Sequence, residues 1–224
     1  MVACLNKEAI MAETLRFAET VLPTNFGDFR CIVYHLQDGL EHVALIKGDV
    51  ANKPGVLLRI QSECLTGEVF SSQKCDCKHQ LDKALSLIEN EGTGILLYLR
   101  QEGRGIGLGN KIKAYHLQEK GVDTVDANRI LGFPDDSRDF CCAIRILRDL
   151  GVASVRVLTN NPMKVDSLVN AGIHVLERLP LLTDVHHLAQ DYLKVKGQRM
   201  GHFLDEEKLS SDSLGAKLIK SRLS

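Results

Sequence analysis

Cys64, Cys75 and Cys77 form a C-x10-C-x-C arrangement in a chain of 224 residues. In extended chain, residues two apart project to one side, so Cys75 and Cys77 can offer both sulfurs to a single ion. Thiolate donors suit zinc, and shared metal binding explains two thiols this close without a disulfide. A structural zinc site normally closes with four protein ligands. Here the local stretch supplies three cysteines, with His79 the one nearby candidate for a fourth. If His79 does not bind, water takes the fourth position and the centre becomes hydrolytic. Zinc lowers the pKa of its water to about 7 in sites with neutral ligands, and three thiolates predict a less acidic but more nucleophilic hydroxide. A structural clip, or three unrelated thiols, fits the same spacing.

A second group of residues has the chemistry of an anion site. RQEGRGIGLGNK, at 100–111, lies between a predicted strand and a predicted helix, where a glycine loop can approach phosphates. It is not a dinucleotide fingerprint, because Leu108 stands where G-x-G-x-x-G needs its third glycine, and no G-x-x-x-x-G-K-[ST] occurs in the chain. Arg59 at a strand end, Arg104 in the loop and Lys164 near a helix start could together neutralise a polyphosphate. Glu63 and Glu102 are acceptors suited to the ring N–H and exocyclic amine of guanine. Each of these residues taken alone is more often solvated surface.

The elements that must position them alternate. The first part, to about residue 70, reads as short strands and turns, with HVALIKG at 42–48 and VLLRIQ at 56–61 separated by a Pro-Gly turn. HQLDKALSLIEN places Leu81, Ala84, Leu85 and Ile88 at helical spacing, and GILLYL at 94–99 reads as a buried strand. After the glycine loop a helix is predicted from Asn110 to about Lys120, then a long polar connection at 121–138. DFCCAIRILRDLG is helical and stops at Gly151. SVRVLT, a helix starting near Pro162, and IHVLERL form a βαβ unit with parallel pairing. The fold class is therefore α/β, with layered helices on a mixed sheet, a β-rich first third and βαβ units in the C-terminal half.

Composition narrows the function classes. The chain is 44% hydrophobic and lacks tryptophan, so aliphatic residues must build its core. A formal net charge of −1 gives no global field for nucleic acid or an acidic membrane. No apolar run approaches the roughly 20 residues that span a bilayer, and acidic residues occupy the N-terminal stretch where a signal peptide would be apolar. Seven cysteines, an odd number, suggest a reducing cytoplasm, with Cys4, Cys31, Cys141 and Cys142 as buried or bystander thiols. A zinc nucleoside deaminase would need H-x-E and P-C-x-x-C, and the chain has neither. A noncatalytic zinc- or nucleotide-binding module remains the contrasting class.

Four blocks carry a family resemblance: SECLTGEVFSSQKCDC, LLYLRQEGRGIGLGNKIKAYHLQ, DANRILGFPDDSRDF and VLTNNPMKV. In this order the chain resembles GTP cyclohydrolase II from about residue 22 to residue 203. The resemblance implies hydrolysis of GTP at C8, releasing formate and pyrophosphate and giving 2,5-diamino-6-ribosylamino-4(3H)-pyrimidinone 5′-phosphate, the first step of riboflavin synthesis. It implies Cys64, Cys75 and Cys77 as zinc ligands, with water as the fourth. It further implies GTP contacts at Arg59, Ile60, Gln61, Ser62, Glu63, Gln80, Glu102, Gly103, Arg104, Thr124, Thr159 and Lys164. Asp136 matches the family's proton acceptor, Arg138 its nucleophile toward the α-phosphorus, and Tyr115 a tyrosine linked to completing deformylation; a relative that stops at the formamidopyrimidine would lack that tyrosine. Magnesium on the triphosphate and a homodimer are also implied. The expected organisation is an N-terminal extension at 1–20, one catalytic domain at 21–204 and a polar tail at 205–224, without a fused synthase domain.

Overall fold

A computed structural model describes residues 15–36 and 38–183. The polar tail expected at 205–224 lies outside the described residues. Among the described residues seven strands form one mixed sheet: β1 (Leu15–Thr24), β2 (Gly27–His35), β3 (Glu41–Lys47), β4 (Val56–Ser62), β5 (Gly94–Leu99), β6 (Ser154–Leu158) and β7 (His174–Leu179). Their order is β1-β2-β3-β5-β4-β6-β7. The first four in that order pair antiparallel, and β5, β4, β6 and β7 run parallel. β1 begins at Leu15, inside the segment set apart as 1–20.

The helices are α1 (Leu65–Glu68, a single turn), α2 (Cys77–Glu91), α3 (Gly107–Glu119), α4 (Thr124–Ile130), α5 (Cys141–Asp149) and α6 (Pro162–Asn170). They cover both faces of the parallel half. On one face Ala143, Ile146 and Leu147 of α5 and Leu168 of α6 share a core with the sheet residues Leu58, Ile60, Ile95, Leu97 and Val155. On the other, Ala84, Leu85 and Ile88 of α2 pack on Leu57 and Leu96. Burying both faces explains why β4 and β5 read as nearly continuous apolar runs.

The period-two alternation of β4 decides what reaches the site. Val56, Leu58 and Ile60 turn into the first core, while Leu57, Arg59 and Gln61 share the opposite face. β4 and its parallel neighbours β5 and β6 all end on one side of the sheet, where ligands of open α/β sheets gather.

Three expectations are corrected. The connection at 121–138 contains α4, whose N-cap Asp123 accepts the N–H groups of Val125 and Asp126; seven residues are too few to display a helical period. α3 starts at Gly107 rather than Asn110, since the glycine turn before it feeds straight into the helix. Of the cysteines read as bystanders, Cys31 and Cys142 are free and half-buried, whereas Cys141 is in a disulfide; Cys4 lies outside the described residues.

Candidate active site

Beyond Ser62 the chain leaves β4, and Cys64 stands directly before α1. Glu68, at the end of that turn, folds back under it. One carboxylate oxygen accepts the Cys64 N–H at 3.1 Å and the Tyr98 hydroxyl at 2.5 Å, and the other accepts Gln61 Nε2 at 2.7 Å. Burial pushes the Glu68 carboxyl above its ordinary range.

Cys75 lies in the turn before α2 and Cys77 is the first residue of that helix. The two sulfurs therefore converge through a helix start, not through extended chain. Cys64 and Cys75 Sγ are 3.6 Å apart, and the three sulfurs lie within 4.8 Å of one another. That spacing far exceeds a disulfide bond of about 2.05 Å. It matches the edge of a tetrahedron with zinc–sulfur bonds of about 2.3 Å, roughly 3.8 Å. The donor set thus fits zinc. Gly67 makes room for it, because a Cβ there would sit 2.6 Å from Cys75 Sγ and 3.3 Å from Cys64 Sγ. His79 is exposed and stands outside the donor group. As thiols, Cys75 and Cys77 hydrogen-bond to Cys64 and hold it well below the usual thiol range, with help from the Lys111 charge. The same bond to Cys64 pushes Cys75 up to about 11.

The cationic side chains of the cleft come from the middle of β4, where Arg59 lies rather than at the strand end expected, from the chain after β6 and from the loop before α5. Arg59, 4% exposed, donates to Gln61 Oε1, to Gln80 Oε1 at 2.7 Å and to the Leu158 carbonyl at 3.0 Å. Burial lowers its pKa to about 10, so it stays charged at neutral pH. Thr159 follows β6, and its hydroxyl accepts the Asn161 N–H at 3.0 Å. Asn161 caps α6, whose buried Lys164 donates to the Ile60 carbonyl at 2.7 Å. Arg138 holds Asp136 with Nε at 2.9 Å and Nη2 at 2.5 Å, and its Nη1 reaches Ser62 Oγ at 3.3 Å. Burial raises the Asp136 carboxyl, but the hydrogen bonds and charge of Arg138 outweigh it and leave the group below its ordinary value.

The glycine turn joins the two halves. Gly103, Arg104 and Gly105 are all left-handed, with φ of 63°, 61° and 87°. A side chain at Gly105 would press within 3.2 Å of the Ser137 backbone, whose N–H donates to the Arg104 carbonyl. Glu102 is 8% exposed and spans the junction, accepting the Leu65 N–H at 2.6 Å and Lys111 Nζ at 2.7 Å. Glu63 pairs with Arg100 at 2.9 Å.

The cleft is lined by all the site residues expected from the sequence except Ile60 and Asp136. Ile60 contributes only its carbonyl, since its side chain is in the core, and Asp136 stands behind Arg138. Lys111, Asn128 and Asn161 also line it and were not expected. Lys111 closes the RQEGRGIGLGNK block, but helical lysines are ordinarily solvated, so nothing local marked it. Among the described residues one further donor group exists, Asp38, His42 and Cys142. There His42 Nδ1 accepts the Arg100 N–H at 3.1 Å while Nε2 meets Asp38 at 2.8 Å, which occupies both ring nitrogens.

The profile of the GTP cyclohydrolase II family matches residues 15–180. The chain belongs to the GTP cyclohydrolase II family. Riboflavin biosynthesis protein RibBA of Bacillus cereus is 53% identical over 196 residues, covering 86% of this chain and 49% of the relative. The protein of the same name from Bacillus mycoides is 52% identical, with the same coverage. The chain spans about half the length of these curated relatives. A two-domain 3,4-dihydroxy-2-butanone 4-phosphate synthase, RibBX, from A. baumannii shows 17% identity and a TM-score of 0.46, covering 79% of this chain and 43% of that one. Among the described residues no helix is long and apolar enough to cross a membrane.

Proposed function

We propose that this GTP cyclohydrolase II family member hydrolyses GTP at C8, with zinc held by Cys64, Cys75 and Cys77. The products are formate, pyrophosphate and the 2,5-diamino-6-ribosylamino-pyrimidinone 5′-phosphate. The observation that carries the reading is one cleft lined both by a three-sulfur donor set and by Arg59, Arg104, Arg138 and Lys164. A zinc ion there would supply a Lewis acid and a water made acidic enough to attack a purine carbon and then a formamide.

The protein's own groups bind and orient. Lys164 and Arg104 neutralise the triphosphate, which enters with magnesium, and Thr159 and Thr124 add hydroxyl contacts. Tyr115 lines the cleft between Lys74 and Lys111, 4.8 and 5.7 Å from its ring, a position suited to the formyl group released late in the reaction. Its presence favours the complete reaction over arrest at the formamidopyrimidine.

Arg138 acts as a stabiliser of phosphoryl charge rather than as a nucleophile. A guanidinium offers donors and no acceptor lone pair, and this one is already held by Asp136. Asp136, with both oxygens on Arg138 and a lowered pKa, serves to aim that cation more than to take up a proton. Ion-pair orientation of this kind contributes through electrostatic preorganisation. A single catalytic unit at 21–204 and a homodimer belong to the same proposal.

Purified protein incubated with GTP, with zinc or with a chelator, tests it. Formate and pyrophosphate should both be released with zinc, and both should cease with the chelator. Pyrophosphate without formate from zinc-loaded protein would overturn the assignment.

A further inference from the structure

Lys111 has no task in this reaction scheme, yet it is 9% exposed in the wall of the cleft. Its Nζ lies 3.2 Å from Cys64 Sγ and 2.7 Å from Glu102 Oε1. The carboxylate of Glu102 is itself pinned by the N–H groups of Leu65 at 2.6 Å and Gly103 at 2.8 Å. Sulfur, ammonium, carboxylate and the amide next to the cysteine thus form a closed circuit joining the metal loop, the glycine turn and α3. Gly103 permits the close approach, because a Cβ on it would lie 3.1 Å from Lys111 Cβ. The ammonium has little freedom to leave the sulfur for a ligand.

Three thiolates bring three negative charges to a divalent ion, and their electron donation weakens it as a Lewis acid. A cationic N–H bonded to one of those sulfurs withdraws part of that charge and fixes the sulfur's direction. Groups one step beyond a metal's ligands tune it in this way.

We propose that Lys111 is a positioning residue of the metal centre: held by Glu102, it donates to Cys64 Sγ, orients that ligand and draws charge from it. It acts on sulfur and not on the nucleotide. The inference rests on the metal reading given above and adds a residue outside the ligand set.

Cobalt(II) in place of zinc reads the sulfur directly through its sulfur-to-metal charge-transfer band. In Lys111→Met the band should move to lower energy, and metal affinity, measured by chelator competition, should fall about 10- to 100-fold. The KM for GTP should change by less than about twofold. Lys111→Arg keeps a cation and an N–H donor, so its band should stay near that of the unaltered protein. An unmoved band and unchanged affinity in Lys111→Met, with a raised KM, would place Lys111 on the nucleotide and overturn the inference alone. Equal loss of metal by Lys111→Met and Lys111→Arg would also overturn it, by showing that shape and not charge matters. Failure of the unaltered protein to bind cobalt at all would overturn the metal reading and this inference together.

Discussion

Arg138 grips Asp136 with two side-chain nitrogens and its own backbone N–H, at 3.0 Å, while its remaining guanidinium nitrogen reaches Ser62 at the end of β4. The planar fork is therefore fixed before substrate arrives. Lysine cannot reproduce a bidentate pair. Arg138→Lys should lower kcat about 100-fold with pyrophosphate release slowed, measured by following pyrophosphate and formate together. Normal pyrophosphate with lost formate would place Arg138 at the base instead.

Asp136→Asn removes one partner of that part-buried pair and should destabilise the fold by about 3 kcal/mol at pH 7. The Asp136 carboxyl has a folded pKa below its ordinary 3.8. The stability it supplies is thus present above that ordinary value and is lost as pH falls through the lower folded value. Denaturant melts of both proteins should differ at pH 7 and converge below about pH 4. A gap unchanged down to about pH 2 would show that Asp136 does not stabilise as an anion.

Gly67→Ala places a methyl group against two sulfurs. It should cost about 1–3 kcal/mol of stability and remove zinc from the purified protein, as should Cys75→Ser. Metal analysis beside circular dichroism separates lost metal from lost fold. A fully zinc-loaded Gly67→Ala protein would contradict the sulfur cradle.

Tyr115→Phe keeps the ring and removes only the hydroxyl. A formylated pyrimidine should accumulate, visible by mass spectrometry, with GTP consumption reduced by less than about tenfold, the modest share one polar contact contributes. Complete conversion to formate at the native rate would relieve Tyr115 of its assigned part.

Much of this arrangement was legible in the sequence. The runs VLLRIQ and GILLYL declare buried strands because both faces of that half of the sheet are covered by helices. The C-x10-C-x-C spacing points to a cluster of sulfurs because its members are close in sequence, and the three sulfurs do lie within 4.8 Å of one another. What could not be read is what depends on partners far along the chain. Ile60 sits inside a block expected to contact the nucleotide, yet strand alternation sends its side chain to the core. Lys111 looks like any helical lysine until α3 docks beside Cys64. α4 is too short to display a period, and Asp123 reveals it only once its two amide partners are seen.

The sulfurs and Lys164 differ in how much chain must close to place them. Cys64 and Cys75 are 11 residues apart, whereas Lys164 reaches the Ile60 carbonyl across 104. A short loop closes at small entropic cost, and a distant one waits for β6 to dock on β4. The sulfur cradle can therefore take shape while the chain is still largely open. Lys164 reaches Ile60 only after the last parallel strands are in place, so the three sulfurs can gather in a half-finished molecule whose cleft still lacks its far wall.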